Sequence, residues 1–128
     1  MTIDNTKAVQ YTLYHNPGCS KSRATLALLG EHNITPTVVE YLNTPPSQET
    51  LSQILLMLGL KPRDIMRRKE SVYADLHLDA ADLSDAELLQ AIIQNPILLE
   101  RPIVVRQDGA GLGSAAIGRP PENILQLL

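Results

Sequence analysis

The chain reads as an α/β protein with a mixed sheet and an inserted helical segment, on three observations. An apolar-alternating tetrapeptide, Tyr11-Thr12-Leu13-Tyr14, precedes a helical stretch and a β-branched run, Thr37-Val38-Val39-Glu40-Tyr41. Residues 46–98 then carry helical periodicity with no strand pattern. Two further β-type runs, Ile103-Val104-Val105 and Ser114 to Ile117, flank a glycine-rich connection and lead into a short apolar terminal helix. The order βαβ, helices, ββα predicts one sheet interrupted by a helical insertion.

Residues 1–9 show no periodicity and read as a lead-in. Strand, helix and strand at this spacing make a βαβ unit with a parallel pair. The first helix, over residues 23–30, is expected to end near Gly30, a usual C-cap residue. After the break Thr44-Pro45-Pro46-Ser47, the residues Leu51, Ile54, Leu55 and Leu58 recur at i, i+3, i+4, i+7 and predict an amphipathic helix closed by Gly59. Pro62 opens a short helix carrying Arg63, Ile65, Met66, Arg67 and Arg68. Ser84-Asp85-Ala86-Glu87 is a capping-box pattern ahead of Leu88, Leu89, Ile92 and Ile93, and Asn95-Pro96 ends that helix. Neither repeats nor a long linker divide the 128 residues, so residues 1–128 are expected to form a single domain with its insertion at approximately 46–98.

Composition narrows the function classes. The net charge of −3 gives no general attraction to nucleic acid. No apolar run reaches the ~18 residues of a membrane span, and the polar opening Met1-Thr2-Ile3-Asp4-Asn5 lacks a signal peptide's apolar core, so a soluble, cytoplasmic protein is expected. The single cysteine rules out an internal disulfide and fits a reducing compartment. Three scattered histidines and one cysteine make no metal-ligand pattern, and no metal or tightly bound cofactor is expected.

That cysteine, Cys19, lies in His15-Asn16-Pro17-Gly18-Cys19-Ser20-Lys21-Ser22-Arg23, where a strand turns into a helix. The first N–H groups of a helix lack intrahelical partners and carry partial positive charge, so they stabilise a thiolate and hold anions. A free cysteine is often a small buried hydrophobe, but polar and turn-forming neighbours argue against that here. Cys19-Ser20-Lys21-Ser22 has redox Cys-x-x-Cys spacing with Ser22 in place of the second thiol. An oxidised Cys19 must therefore be resolved by a thiol from another molecule. His15 either assists ionisation of Cys19 or is a turn residue satisfied by backbone; His32 and His77 read as surface. Arg67, Arg101 and Arg119 each adjoin a turn or a proline and offer planar donor forks for oxyanions, but Arg63, Arg68 and Arg106 compete with them. Gly109, Gly111 and Gly113 are hairpin glycines, since no helix follows them as a phosphate loop requires.

Four strings carry a family resemblance: Tyr14-His15-Asn16-Pro17-Gly18-Cys19, Tyr41-Leu42-Asn43-Thr44-Pro45-Pro46, residues 95–105 from Asn95-Pro96 through Arg101-Pro102 to Val105, and Ile117-Gly118-Arg119-Pro120-Pro121-Glu122. From Tyr11 to Leu128 the chain resembles the ArsC family of glutaredoxin-linked arsenate reductases, and is most similar to its short, YfgD-like branch. The resemblance implies a thioredoxin-like fold with a mixed sheet and a helical insertion. It implies Cys19 as catalytic nucleophile with His15 as auxiliary, and Arg67, Arg101 and Arg119 as substrate-binding residues. It implies arsenate or a similar oxyanion as substrate, glutathione as co-substrate, glutaredoxin as protein partner, and a cis proline at Pro102. Two other readings stay open on the same scaffold. One is a different glutathione-linked thiol oxidoreductase or redox sensor. The other is an Spx-like regulator that binds RNA polymerase, although such regulators usually display Cys-x-x-Cys.

Overall fold

A computed structural model describes residues 9–109 and 111–128; the lead-in expected over residues 1–9 falls, save Val9, outside the described residues. The chain divides into two compact units, one from Met1–Glu40 with Arg101–Leu128 and one from Tyr41–Glu100. The helical stretch anticipated at approximately 46–98 falls within the second.

In the first unit, β1 (Val9–His15), β2 (Thr37–Glu40), β3 (Ile103–Asp108) and β4 (Ser114–Ile117) form one mixed sheet in the order β2-β1-β3-β4. β1 runs parallel to β2, placing His15 opposite Glu40, and antiparallel to β3, placing Leu13 opposite Val104. β3 and β4 are antiparallel, with Val104 opposite Ala116. The crossover between the parallel strands is helix α1 (Ser20–Glu31). Leu13, Val104 and Ala116 from one sheet face meet Leu29 of α1 and Ile124 and Leu127 of a terminal 3-10 helix, Pro121–Leu127. This wholly aliphatic cluster fixes α1, and with it the helix start, against the sheet. Burial of each Leu, Val or Ile side chain among them stabilises by about 1.5–3 kcal/mol relative to exposure.

α1 ends at Glu31, near Gly30 as expected, and the left-handed residue beyond it is Asn33 (φ 62), whose N–H donates to the Gly30 carbonyl at 3.0 Å. Asparagine tolerates that conformation better than most residues, so the chain turns there without glycine.

In the second unit, α2 (Gln48–Leu58) starts at Ser47, whose Oγ accepts from Thr50 N–H, and ends at Gly59 with φ 68. α4 (Asp85–Gln94) starts with the anticipated reciprocal capping box: Ser84 Oγ accepts from Glu87 N–H at 3.1 Å, and Ser84 N–H donates to Glu87 Oε1 at 2.9 Å. Between them lie a 3-10 turn, Pro62–Ile65, and a short helix α3, Ser71–Asp75, that sequence periodicity does not reveal. Met66 and Leu99 form an antiparallel bridge, flanked by Arg67 N–H to Leu98 O at 2.7 Å and Glu100 N–H to Ile65 O at 2.8 Å. This bridge positions Arg67 and Glu100 as neighbours. Among the described residues no helix is long and apolar enough to cross a membrane.

Candidate active site

The strand-to-helix turn is built from its own polar groups. Asn16 O accepts from Cys19 N–H at 2.9 Å, and Asn16 Oδ1 accepts from Gly18 N–H at 2.9 Å. Arg23 reaches back from α1 to donate to Pro17 O at 2.8 Å. Cys19 is left as the N-cap, with extended backbone (φ −99, ψ 124), so its sulfur faces the first N–H groups of α1. The half-buried thiol is pulled in two directions. Burial pushes its pKa up, but the N–H of Ser22, the Arg101 guanidinium and the N–H of Lys21 all favour the thiolate, and the net result lies below the ordinary thiol value.

His15, at the end of β1, is 6% exposed and does not stand alone: its Nδ1 lies 2.6 Å from Ser22 Oγ. The same hydroxyl accepts from Asn16 N–H at 3.0 Å. Burial lowers the His15 pKa; Glu40 opposes and Arg23 adds to the lowering. The neutral imidazole is thereby favoured, and its link to the cysteine turn runs through Ser22. Ser22 is fully buried. In the sequence Ser22 stands only as a missing thiol, and the Cys-x-x-Ser spacing is the available signal for its role.

Arg101 and Arg119 belong to adjoining segments of the first unit. Arg119 Nη1 donates to Arg101 O at 3.2 Å, and Gly118 N–H donates to Pro102 O at 2.9 Å. Arg101-Pro102 is cis, and so is Arg119-Pro120, which the sequence reading did not anticipate. Gly118 allows the close approach of these segments to α1: a Cβ there would sit 2.5 Å from Thr25 Oγ1 and 2.8 Å from Pro102 Cγ. Arg101 thus reaches the Cys19 sulfur, and Arg119 is tied to the Arg101 backbone carbonyl.

Arg67 lies in the second unit, where its Nε donates to Glu70 Oε2 at 3.1 Å and its Nη1 to Glu100 Oε1 at 3.2 Å. The competing arginines have other work. Arg63 donates to the carbonyls of Leu78 and Ala80, tying down the chain after α3. Arg106 pairs with Asp108, donates to Leu127 O and stacks over Tyr11. Arg68 is exposed and donates to Arg63 O at 3.4 Å. His32 and His77 are exposed. Among the described residues no group of His, Cys, Asp and Glu is arranged to hold a metal.

A mixed α/β sheet with a lone cysteine capping a helix start and Arg101 beside it places the chain among thioredoxin-like folds. The ArsC family model matches residues 14–127, and the chain belongs to that family. It is 48% identical over 120 residues to the Escherichia coli protein YfgD, described as uncharacterized, covering 93% of this chain and 97% of that one. It is 49% identical over 117 residues to an arsenate reductase of Neisseria meningitidis, covering 91% and 96%. Among solved structures, an arsenate reductase from Vibrio cholerae superposes with a TM-score of 0.87 at 47% identity, covering 94% of this chain and 99% of that one.

Proposed function

We propose that the protein is an arsenate reductase that uses Cys19 as nucleophile and takes its electrons from glutathione and glutaredoxin. The observation that carries this reading is the Cys19 sulfur itself, held toward the thiolate by the N–H groups of Ser22 and Lys21 and by Arg101. The near-50% identity to proteins described as arsenate reductases supports the choice of substrate. Arg67, Arg101 and Arg119 serve as the oxyanion-binding side chains, and guanidinium forks suit a tetrahedral anion and its charged transition state.

In the reaction, the Cys19 thiolate attacks pentavalent arsenic, a sulfur–arsenic bond forms, and one protonated oxygen leaves as water. Glutathione attacks the adduct, and an electron pair passes to arsenic as a sulfur–sulfur bond forms. Trivalent arsenic departs and leaves a Cys19–glutathione disulfide. A glutaredoxin thiolate then takes the glutathionyl group and returns Cys19 as thiolate. Two thiols are oxidised to one disulfide for each arsenic reduced. No second cysteine exists in the chain to resolve Cys19, so an external thiol is required at that stage whatever its identity.

The test is arsenate turnover coupled to glutathione and glutaredoxin, with Cys19→Ser as the paired variant. Wild type turns over and Cys19→Ser does not. Turnover retained by Cys19→Ser defeats the mechanism, and a wild type that deglutathionylates test peptides while leaving arsenate untouched defeats the substrate assignment.

A further inference from the structure

We infer that Glu70 and Glu100 set the oxyanion affinity of Arg67, acting as positioning residues that orient its guanidinium while cancelling its charge; this rests on Arg67 being a substrate-binding residue. Arg67 is held from two sides. Glu70 lies three residues on and takes Nε, whereas Glu100 lies 33 residues away in sequence and takes Nη1. The Met66–Leu99 bridge and its flanking hydrogen bonds hold the two backbones in register for the second contact. All three side chains are mostly buried, with 24% of Arg67, 29% of Glu70 and 25% of Glu100 exposed.

The two carboxylate contacts occupy two of the five N–H groups of a guanidinium, so Arg67 keeps donors for a third acceptor. The local charge is the more telling quantity. Two carboxylates against this one guanidinium offset its attraction for an anion, so an oxyanion is held at Arg67 mainly by directed hydrogen bonds from its remaining donors. The carboxylates keep the fork aimed and weaken its hold on every tetrahedral anion. Removing one negative charge while keeping its shape should therefore tighten binding, the reverse of what loosening a structural contact does.

Arsenate and inorganic phosphate are titrated calorimetrically, without any thiol reductant, into wild type, Glu100→Gln, Glu70→Gln, Arg67→Ala and Arg67→Ala/Glu100→Gln. Each glutamine variant is expected to bind both anions about twofold to fivefold more tightly, the range for a partly exposed charge a few ångströms away. The gain disappears in the Arg67→Ala background, and thermal melts confirm that each variant is folded. Should Glu100→Gln fail to fold, Glu70→Gln carries the test. Unchanged or weaker binding in the glutamine variants, with Arg67→Ala weakening binding, overturns the inference and leaves Arg67 as a substrate residue. No effect of Arg67→Ala overturns both. Because binding is read without turnover, a failure of the redox chemistry is seen separately in the coupled assay.

Discussion

Ser22→Ala separates what the helix start does through its backbone from what it does through a side chain. Ser22 is fully buried, and its hydroxyl serves two partners: His15 Nδ1 at 2.6 Å and Asn16 N–H at 3.0 Å. Deleting the oxygen strands both. A buried polar group left without its partner costs about 1–3 kcal/mol. His15 is buried and falls in the middle of that range, whereas Asn16 is half-buried and nearer water, at its low end. Together they give a loss of about 2–4 kcal/mol. For a domain of this size each kcal/mol moves Tm by about 4 °C, so circular dichroism melts should show Ser22→Ala about 8–16 °C below wild type. The N–H that Ser22 donates to the Cys19 sulfur is untouched, so alkylation of Cys19 in the folded variant should stay within about twofold of wild type. A melt within about 2 °C of wild type would refute the claim that this hydroxyl satisfies buried partners. A large fall in alkylation rate would show that the side chain, not the backbone, controls the thiolate.

Gly118→Ala places a methyl group 2.5 Å from Thr25 Oγ1 and 2.8 Å from Pro102 Cγ, and overpacking of this kind costs about 1–3 kcal/mol; denaturant melts should show that loss, and Thr25→Ala should recover part of it. The depressed Cys19 pKa ties stability to pH. A group whose folded pKa lies below its unfolded value contributes stability that is full above the unfolded value and is lost as pH falls through the folded one. The stability of wild type relative to Cys19→Ser should therefore rise with pH up to the ordinary thiol range, about 8.5, and then level off. The lowered His15 pKa acts on the acid side. Below an unfolded value of about 6.5 the unfolded chain takes a proton before the folded one does, so chemical melts should show stability falling with pH there, and less so in His15→Gln.

The parts of the fold that were legible in the sequence are those written in local patterns. The period of Leu51, Ile54, Leu55 and Leu58, the Ser84–Glu87 capping box and the β-branched runs each depend on neighbours within one or two turns, and each forms the element expected of it. Cys19 was placed at a helix start from the turn residues around it, and it is the N-cap. Helix α3 was missed because five residues are too few to display a period. The first helix ends near Gly30, but its left-handed residue is Asn33, because any residue able to take a positive φ can serve there. The choice among the arginines was not legible at all from spacing. Arg63 and Arg67 lie four residues apart, yet one is fixed by carbonyls 15 and 17 residues away and the other by a carboxylate 33 residues away. Only the family resemblance separated them. Ser22 and Gly118 were overlooked for the same reason: what matters about each is which distant atom it meets.

The mechanism needs one ionised sulfur, and the ultraviolet absorbance of the Cys19 thiolate, followed against pH in wild type and Arg101→Met, reads that ionisation directly. The predicted result is a midpoint below that of an ordinary cysteine in wild type, moved upward when Arg101 loses its charge and its hydrogen bond to the sulfur. A midpoint at or above the ordinary value, indifferent to residue 101, would contradict it.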